Sequence, residues 1–182
     1  MRLGDHFQQI KKKYNKTFFS GICFDHRKIK KNYIFFAIKG NNLDGNNFIP
    51  SVIKKGCKII VTEKNFDEWK NGVLFINTKN IRKLLAQISF SIFKKKPNNL
   101  IAVTGTNGKS SVSDFYYQIL RLNNKKVASI GTLGVRSNNF NLNLFNTTID
   151  PIYLGKILNE LKKRKIENVI MEASSHGLHQ NR

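Results

Sequence analysis

The segment Val103-Thr104-Gly105-Thr106-Asn107-Gly108-Lys109-Ser110-Ser111 has the residue types and spacing best suited to chemistry. Gly105 and Gly108 let the backbone approach anionic oxygens and turn its N–H groups toward them. A helix beginning directly behind them favours negative charge at the same spot. Lys109 can reach terminal phosphates and stabilise charge on a transferring group, and the Ser110 hydroxyl is a ligand type that Mg²⁺ accepts. Gly-Lys-Ser alone is weak evidence, because a glycine-containing helix cap with an incidental lysine looks the same. The flanks decide between them: Leu100-Ile101-Ala102-Val103 reads as a buried strand. Beyond the turn Val112, Phe115, Tyr116, Ile119 and Leu120 recur at helical spacing. The commonest phosphate-loop pattern would place its first glycine at position 103, where this chain has Val103.

Other candidates are less specific on their own. Glu172 closes a strand-like run, Asn168 to Ala173, and as a hard oxygen ligand could hold Mg²⁺ together with Ser110. A capping or salt-bridging carboxylate is an equal reading of the residue alone. Asn146, Thr147 and Thr148 with Arg182 suit a ligand bearing carboxylate and pyrophosphate, since arginine offers such groups a bidentate fork. The two threonines alone would be loop residues or helix caps ahead of Pro151. His176, beside Gly177, reads as a structural histidine rather than a base. Trp69 and the phenylalanines read as core or boundary packing, not as a platform for stacked bases. Cys23 and Cys57 stand in unrelated apolar contexts without metal-ligand spacing, as small buried hydrophobes of a reduced compartment.

The elements that must hold these residues fall into two sets. In the first, Tyr33 to Lys39, Lys58 to Glu63 and Val73 to Asn77 are strand-like. Phe48, Ile49, Val52 and Ile53 mark a helix stopped by Gly56, and Ile81, Leu84, Leu85, Ile88 and Ile92 line one face of a longer one. Lys94-Lys95-Lys96-Pro97-Asn98-Asn99 then reads as an exposed boundary. The second set runs strand, glycine-rich turn, helix, strand (Lys126 to Ile130), helix (Leu154, Ile157, Leu158, Leu161) and strand. The expectation is an α/β protein: a small N-terminal α/β domain over 1–96, then over 97–182 the first part of a mainly parallel-sheet domain with a phosphate loop. A sheet of that kind needs more strands to cover both faces, so the second domain is expected to be incomplete.

Composition narrows the function classes. With 182 residues, 40% of them hydrophobic, the chain can bury a core and is not disordered. Its longest strongly apolar run, Tyr33 to Ile38, is too short to cross a bilayer, and the N-terminus has no apolar leader, so the cytoplasm is the expected compartment. The net charge of +21 invites a nucleic-acid reading. However, the cations are mostly lysines scattered in short groups, alongside many Asn, Ile and Phe. That joint bias reads as compositional drift, giving a solvated basic surface and no specific nucleic-acid partner.

Several motifs, taken together and in order, resemble the Mur ligase family, in particular its UDP-N-acetylmuramoyl-tripeptide synthetase branch. Thr-Gly-Thr-Asn-Gly-Lys is that family's form of the phosphate loop, shared with folylpolyglutamate synthases. Asn146-Thr147-Thr148-Ile149-Asp150-Pro151 is similar to its Asn-Thr-Thr segment, and Met171 to Arg182 to its Met-Glu-Val-Ser-Ser-His-Gly-Leu signature with the Gln and Arg that follow. Phe35 to Gly45 resembles its uridine-binding segment, and Asp25-His26-Arg27 stands where the family usually has Asp-Ser-Arg. The resemblance implies that ATP phosphates sit on Gly105, Thr106, Asn107, Gly108, Lys109, Ser110 and Ser111, and it tips Glu172 toward Mg²⁺ with Ser110. It assigns a UDP-muramoyl-dipeptide to Phe24, His26, Asn41, Asn42, Leu43, Asn146, Thr147, Thr148, Ser174, Gln180 and Arg182. His26 departs from the pattern with a bulkier side chain than serine. The implied activity is ATP-dependent ligation of an amino acid, meso-diaminopimelate or lysine, to UDP-N-acetylmuramoyl-L-alanyl-D-glutamate through an acyl phosphate, by a protein expected to be monomeric. A carbamylated lysine and a C-terminal domain would lie beyond Arg182, leaving this chain inactive alone. Another ligase of the superfamily, such as a folylpolyglutamate synthase, and a non-catalytic remnant are the rivals.

Overall fold

The computed structural model describes residues 1–8, 10–41, 43–144 and 148–179, with His176 described by its backbone only. Two compact units follow one another along the chain, Met1–Ile92 and Phe93–Arg182. The division falls just ahead of the lysine triplet, where sequence composition puts the boundary at its end.

The first unit is built on a five-stranded sheet. Its strands are β1 (Gly21–Cys23), β2 (Tyr33–Phe36), β3 (Ile59–Thr62), β4 (Trp69–Lys70) and β5 (Val73–Asn77), in the order β1-β2-β3-β5-β4. All pairings are parallel except the short β4 against β5. Parallel strands are covered on both faces and therefore read as continuous apolar runs. Thus Ile34, Phe35 and Phe36 of β2 and Ile60 and Val61 of β3 are fully buried. Helix α1 (Ile49–Lys54) places Ile49 and Val52 against this sheet, and Gly56, at φ +85°, ends the turn behind it. Helix α2 (Ile81–Ile92) buries Ile81, Leu85 and Ile88; Glu63 accepts the Ile81 amide at 2.9 Å, satisfying one of its open N-terminal donors. Both cysteines are buried, and burial pushes the Cys57 thiol above its ordinary pKa. Trp69 departs from expectation: it lies on the edge strand β4, 56% exposed, stacked on Tyr14 with ring centroids 6.3 Å apart. Two residues of edge strand offer too little surface to bury an indole.

The second unit contains β6 (Asn99–Val103), α3 (Lys109–Leu122), β7 (Val127–Gly131), β8 (Gly134–Ser137), α4 (Pro151–Lys163), β9 (Asn168–Glu172) and α5 (Ser175–His179). Its sheet runs β6-β9-β7-β8, with β8 antiparallel and the rest parallel. Helix α4 carries the core of this unit: Leu154, Ile157, Leu158 and Leu161 are all buried against Ala128, Ile130 and Val169. Two sequence expectations fail here. The strand before the phosphate loop is not buried: β6 is an edge strand, and Ile101 is 39% exposed. Much of the apolar face expected of α3 also points outward: Val112, Phe115 and Ile119 are at least half exposed, Tyr116 and Leu120 are partly buried, and Ser113 and Tyr117 face inward. Nothing among the described residues of this unit covers that side. No helix of the described residues is long and apolar enough to cross a membrane.

Candidate functional site

The register of the second sheet assembles the site. Strand β9 lies between β6 and β7, and its last residue, Glu172, pairs with Val103, the last residue before the phosphate loop. The amide of Ala173 donates to the Val103 carbonyl at 2.8 Å, locking the two strand ends together. The chain then passes through the exposed turn Thr104–Gly108 into α3, whose first residues are Lys109 and Ser110. Gly108 adopts φ +79° with open space where a Cβ would be, so its glycine is required by conformation rather than by room. Among the described residues, no intramolecular hydrogen bond occupies the amides of Gly105, Thr106, Asn107 or Gly108. The Lys109 ammonium folds over the turn and donates to the carbonyls of Gly105 at 2.7 Å and Thr106 at 3.1 Å. Unbonded amides and an ammonium thus lie within one exposed turn at a helix N-terminus, an arrangement that can receive phosphate.

Behind the loop, the Ser110 hydroxyl donates to Glu172 Oε2 at 3.0 Å. Glu172 is only 6% exposed, and Thr132 also donates to it, by its amide to Oε1 at 3.2 Å and by its hydroxyl to Oε2 at 3.0 Å. A buried carboxylate beside a hydroxyl is a hard oxygen donor set that fits Mg²⁺. That ion keeps several waters and needs few protein ligands, so the lack of any cluster of three acidic, His or Cys side chains among the described residues is no obstacle. Below lies a small cavity lined by Ser110, Ser113, Asp114 and Arg136, with Arg136 paired to Asp114 at 2.6 Å. The Ser113 Oγ is buried there without a partner among the described residues.

The second group of predicted residues meets close by. Thr148 and Ser174 bond through their hydroxyls at 3.0 Å, and the Ser174 amide donates to Thr148 Oγ1 at 3.0 Å. Ser174 Oγ also accepts the Gly177 amide at 3.0 Å, and a Cβ on Gly177 would fall 2.5 Å from Thr148 Cγ2. The cap of α4 is Asp150, which accepts the Tyr153 amide at 3.0 Å, so Thr148 does not serve as that cap. Asn146, Thr147, Gln180 and Arg182 lie outside the described residues, as does the His176 side chain.

In the first unit, Phe24 and His26 follow β1, and Asn41 and Leu43 follow β2, the neighbouring parallel strand. Both segments therefore leave the carboxyl edge of the sheet, where open α/β sheets bind ligands. Phe24 is 38% and Leu43 66% exposed, and Asn41 is exposed as well; Asn42 lies outside the described residues. The His26 ring stacks on Phe48 with centroids 3.8 Å apart and 5° between planes. Imidazole in place of a serine hydroxyl thus finds an aromatic partner. Arg27 forks onto Asp25 at 3.0 and 2.9 Å, and these bonds hold the Asp25 carboxyl down at about 2.

The model for the Mur ligase middle domain matches residues 103–182, and the model for the Mur ligase family catalytic domain matches residues 19–91. The chain belongs to the Mur ligase family. It is 40% identical over 181 residues to the UDP-N-acetylmuramoyl-L-alanyl-D-glutamate–2,6-diaminopimelate ligase of Rickettsia felis, covering 95% of this chain and 33% of that protein. The enzyme of the same name from Fusobacterium nucleatum is 39% identical over 163 residues, covering 88% of this chain and 34% of the relative. The chain spans about a third of the length of the curated relatives it matches. A solved structure of a ligase of that name superposes with TM-score 0.80 at 24% identity, over 100% of this chain and 38% of its own. A MurF ligase from Thermotoga maritima, solved in complex with ADP, gives TM-score 0.52 at 20% identity, over 85% of this chain and 32% of its own. At those identities the two structures speak for the Mur ligase fold alone. Thr132 and Gly131 escape sequence reasoning; the visible signal is two glycines bracketing a two-residue turn, Gly131-Thr132-Leu133-Gly134.

Proposed function

We propose that this Mur ligase chain binds ATP and a UDP-linked muramoyl dipeptide for a ligase that extends the peptide by one amino acid. The γ-phosphoryl group of ATP passes to the free carboxylate of UDP-N-acetylmuramoyl-L-alanyl-D-glutamate, giving an acyl phosphate and ADP. The amine of the incoming amino acid then attacks the acyl carbon and phosphate leaves. The names of the relatives favour 2,6-diaminopimelate over lysine as that amino acid. The observation that carries the reading is the junction of the exposed phosphate loop, its Lys109 ammonium and the Ser110–Glu172 pair at adjoining strand ends. Phosphoryl transfer needs mainly positioning and charge stabilisation, which free amides and an ammonium supply. Mg²⁺, held by Ser110 and Glu172, would neutralise charge on the phosphates.

The order of residues along the chain supports a common reaction space. Glu172, on the phosphate side, is followed closely by Ser174, which is bonded to Thr148 of the proposed substrate segment. Uridine recognition is proposed at Phe24, His26, Asn41, Asn42 and Leu43 in the first unit, and contacts to the muramoyl dipeptide at Asn146, Thr147, Thr148, Ser174, Gln180 and Arg182. The turnover belongs to a polypeptide of the relatives' length, and the 182-residue chain binds without appreciable catalysis. Calorimetric titration tests this: the chain should bind ATP and UDP-N-acetylmuramoyl-L-alanyl-D-glutamate and ignore folate. Failure to bind either ligand, or a preference for folate, would remove the reading.

A further inference from the structure

Thr132 stands outside the phosphate loop and both substrate segments, yet it meets both oxygens of the Glu172 carboxylate. Its amide donates to Oε1 at 3.2 Å and its hydroxyl to Oε2 at 3.0 Å. The backbone puts it there. Gly131 and Gly134 pair across the β7–β8 hairpin and leave Thr132 and Leu133 at its tip. A Cβ on Gly131 would sit 2.2 Å from Glu172 Oε1, and one on Gly134 would sit 2.3 Å from the Leu142 carbonyl oxygen, at a residue whose φ is +87°. Two glycines are therefore needed to press this turn against the carboxylate.

We propose that Thr132 is a positioning residue for the divalent cation that accompanies the nucleotide, acting by fixing the Glu172 carboxylate toward Ser110. A glutamate at a strand end has three side-chain torsions to hold. Ser110 reaches only Oε2, by the 3.0 Å bond it donates, and its oxygen lone pairs stay available to a cation. The Thr132 amide and hydroxyl grip one oxygen each and so fix the rotation of the carboxylate that Ser110 alone leaves open. Partners behind a metal ligand typically govern metal affinity by about 10–100-fold when removed. The inference rests on the nucleotide reading of the loop and assigns a role that neither the loop nor the signature motif contains.

The test is titration of the 182-residue chain with ATP at a series of Mg²⁺ concentrations and in EDTA, for the wild type, Thr132→Val and Thr132→Ser. The wild type should bind ATP more tightly as Mg²⁺ rises. Thr132→Val should need roughly tenfold more Mg²⁺ for the same gain while matching the wild type in EDTA, and Thr132→Ser should restore the wild-type midpoint. Mg²⁺-assisted binding in the wild type with an unchanged midpoint in Thr132→Val overturns the inference alone. If Thr132→Val loses its circular-dichroism signature, Thr132→Ala decides in its place: a folded Ala variant with the raised Mg²⁺ midpoint upholds the inference, and one with the wild-type midpoint overturns it. A wild type that binds no ATP under any condition overturns the nucleotide reading and the inference with it.

Discussion

At the scale of single residues, the loop and its surroundings make opposite demands on substitution. Among the described residues, the Lys109 side chain bonds only to carbonyls of its own turn, so the folded chain depends on it little. Lys109→Ala should weaken ATP binding by about 10–100-fold, the equivalent of one charge-assisted bond of roughly 1.5–3 kcal/mol, while leaving the thermal midpoint unchanged. Gly131→Ala should do the reverse of sparing the fold. Its methyl would collide with the Glu172 carboxylate, and a urea titration should register a loss of about 1–3 kcal/mol together with lost Mg²⁺ dependence. Asp25 supplies a pH prediction. Its folded pKa, about 2 against an ordinary 3.8, is depressed chiefly by the side-chain bonds from Arg27. The stability it contributes is therefore present above about 3.8 and disappears as pH falls toward 2. Because the Arg27 side chain is 77% exposed, that contribution stays below about 1 kcal/mol. Carboxyl-carbon NMR should find Asp25 titrating near 2 and moving upward in Arg27→Ala.

At the scale of elements, periodicity located the helices well but could not say what each face meets. The rows Leu154, Ile157, Leu158, Leu161 and Val112, Phe115, Ile119 have the same helical spacing. The first is buried and the second is at least half exposed. The difference comes from the sheet: α4 packs on strands in the interior of the order β6-β9-β7-β8, whereas the apolar row of α3 faces away from the described strands. Leu161→Ala should cost about 2–5 kcal/mol, and Phe115→Ser under about 0.5 kcal/mol, in the same denaturation assay. A large loss in Phe115→Ser would mean that this face is already covered in solution. The phosphate loop was legible because its chemistry is local: two glycines, a lysine and a serine within one turn. Glu172, Thr148 and Ser174 were legible as types, but their meeting depends on strand register, which pairs Val103 with Glu172 across a long stretch of sequence. Thr132 was visible only as a residue bracketed by two glycines, with nothing to give it a role. A threonine in a hairpin turn has no signature until register brings the turn against a carboxylate.

At the scale of the whole molecule, charge and site chemistry must be kept apart. A net charge of +21 attracts any polyanion, and the second unit has an open groove lined by Lys94, Lys95, Lys96, Lys162 and Lys163. Of these, Lys162 is held by Glu167 at 2.7 Å and Lys163 lies 4.0 Å from Glu160, whereas Lys94, Lys95 and Lys96 are exposed. Such a surface binds through release of counterions, a force that is blind to sequence and collapses with salt. The phosphate loop proposed around Lys109 would work differently, through unbonded backbone amides and an ammonium on a short tether. The chain should therefore hold a short DNA duplex at low salt without sequence preference and release it by about 300 mM salt. ATP binding should survive that change better, because it draws on fixed donors as well as charge. Lys109→Ala should abolish most ATP binding and leave the DNA titration unchanged, whereas replacing Lys94, Lys95 and Lys96 with Gln should do the opposite. Fluorescence anisotropy with labelled DNA and with labelled ATP measures both. If DNA binding persisted at high salt or selected a sequence, the basic surface would be a recognition site in its own right, and compositional drift would no longer account for it.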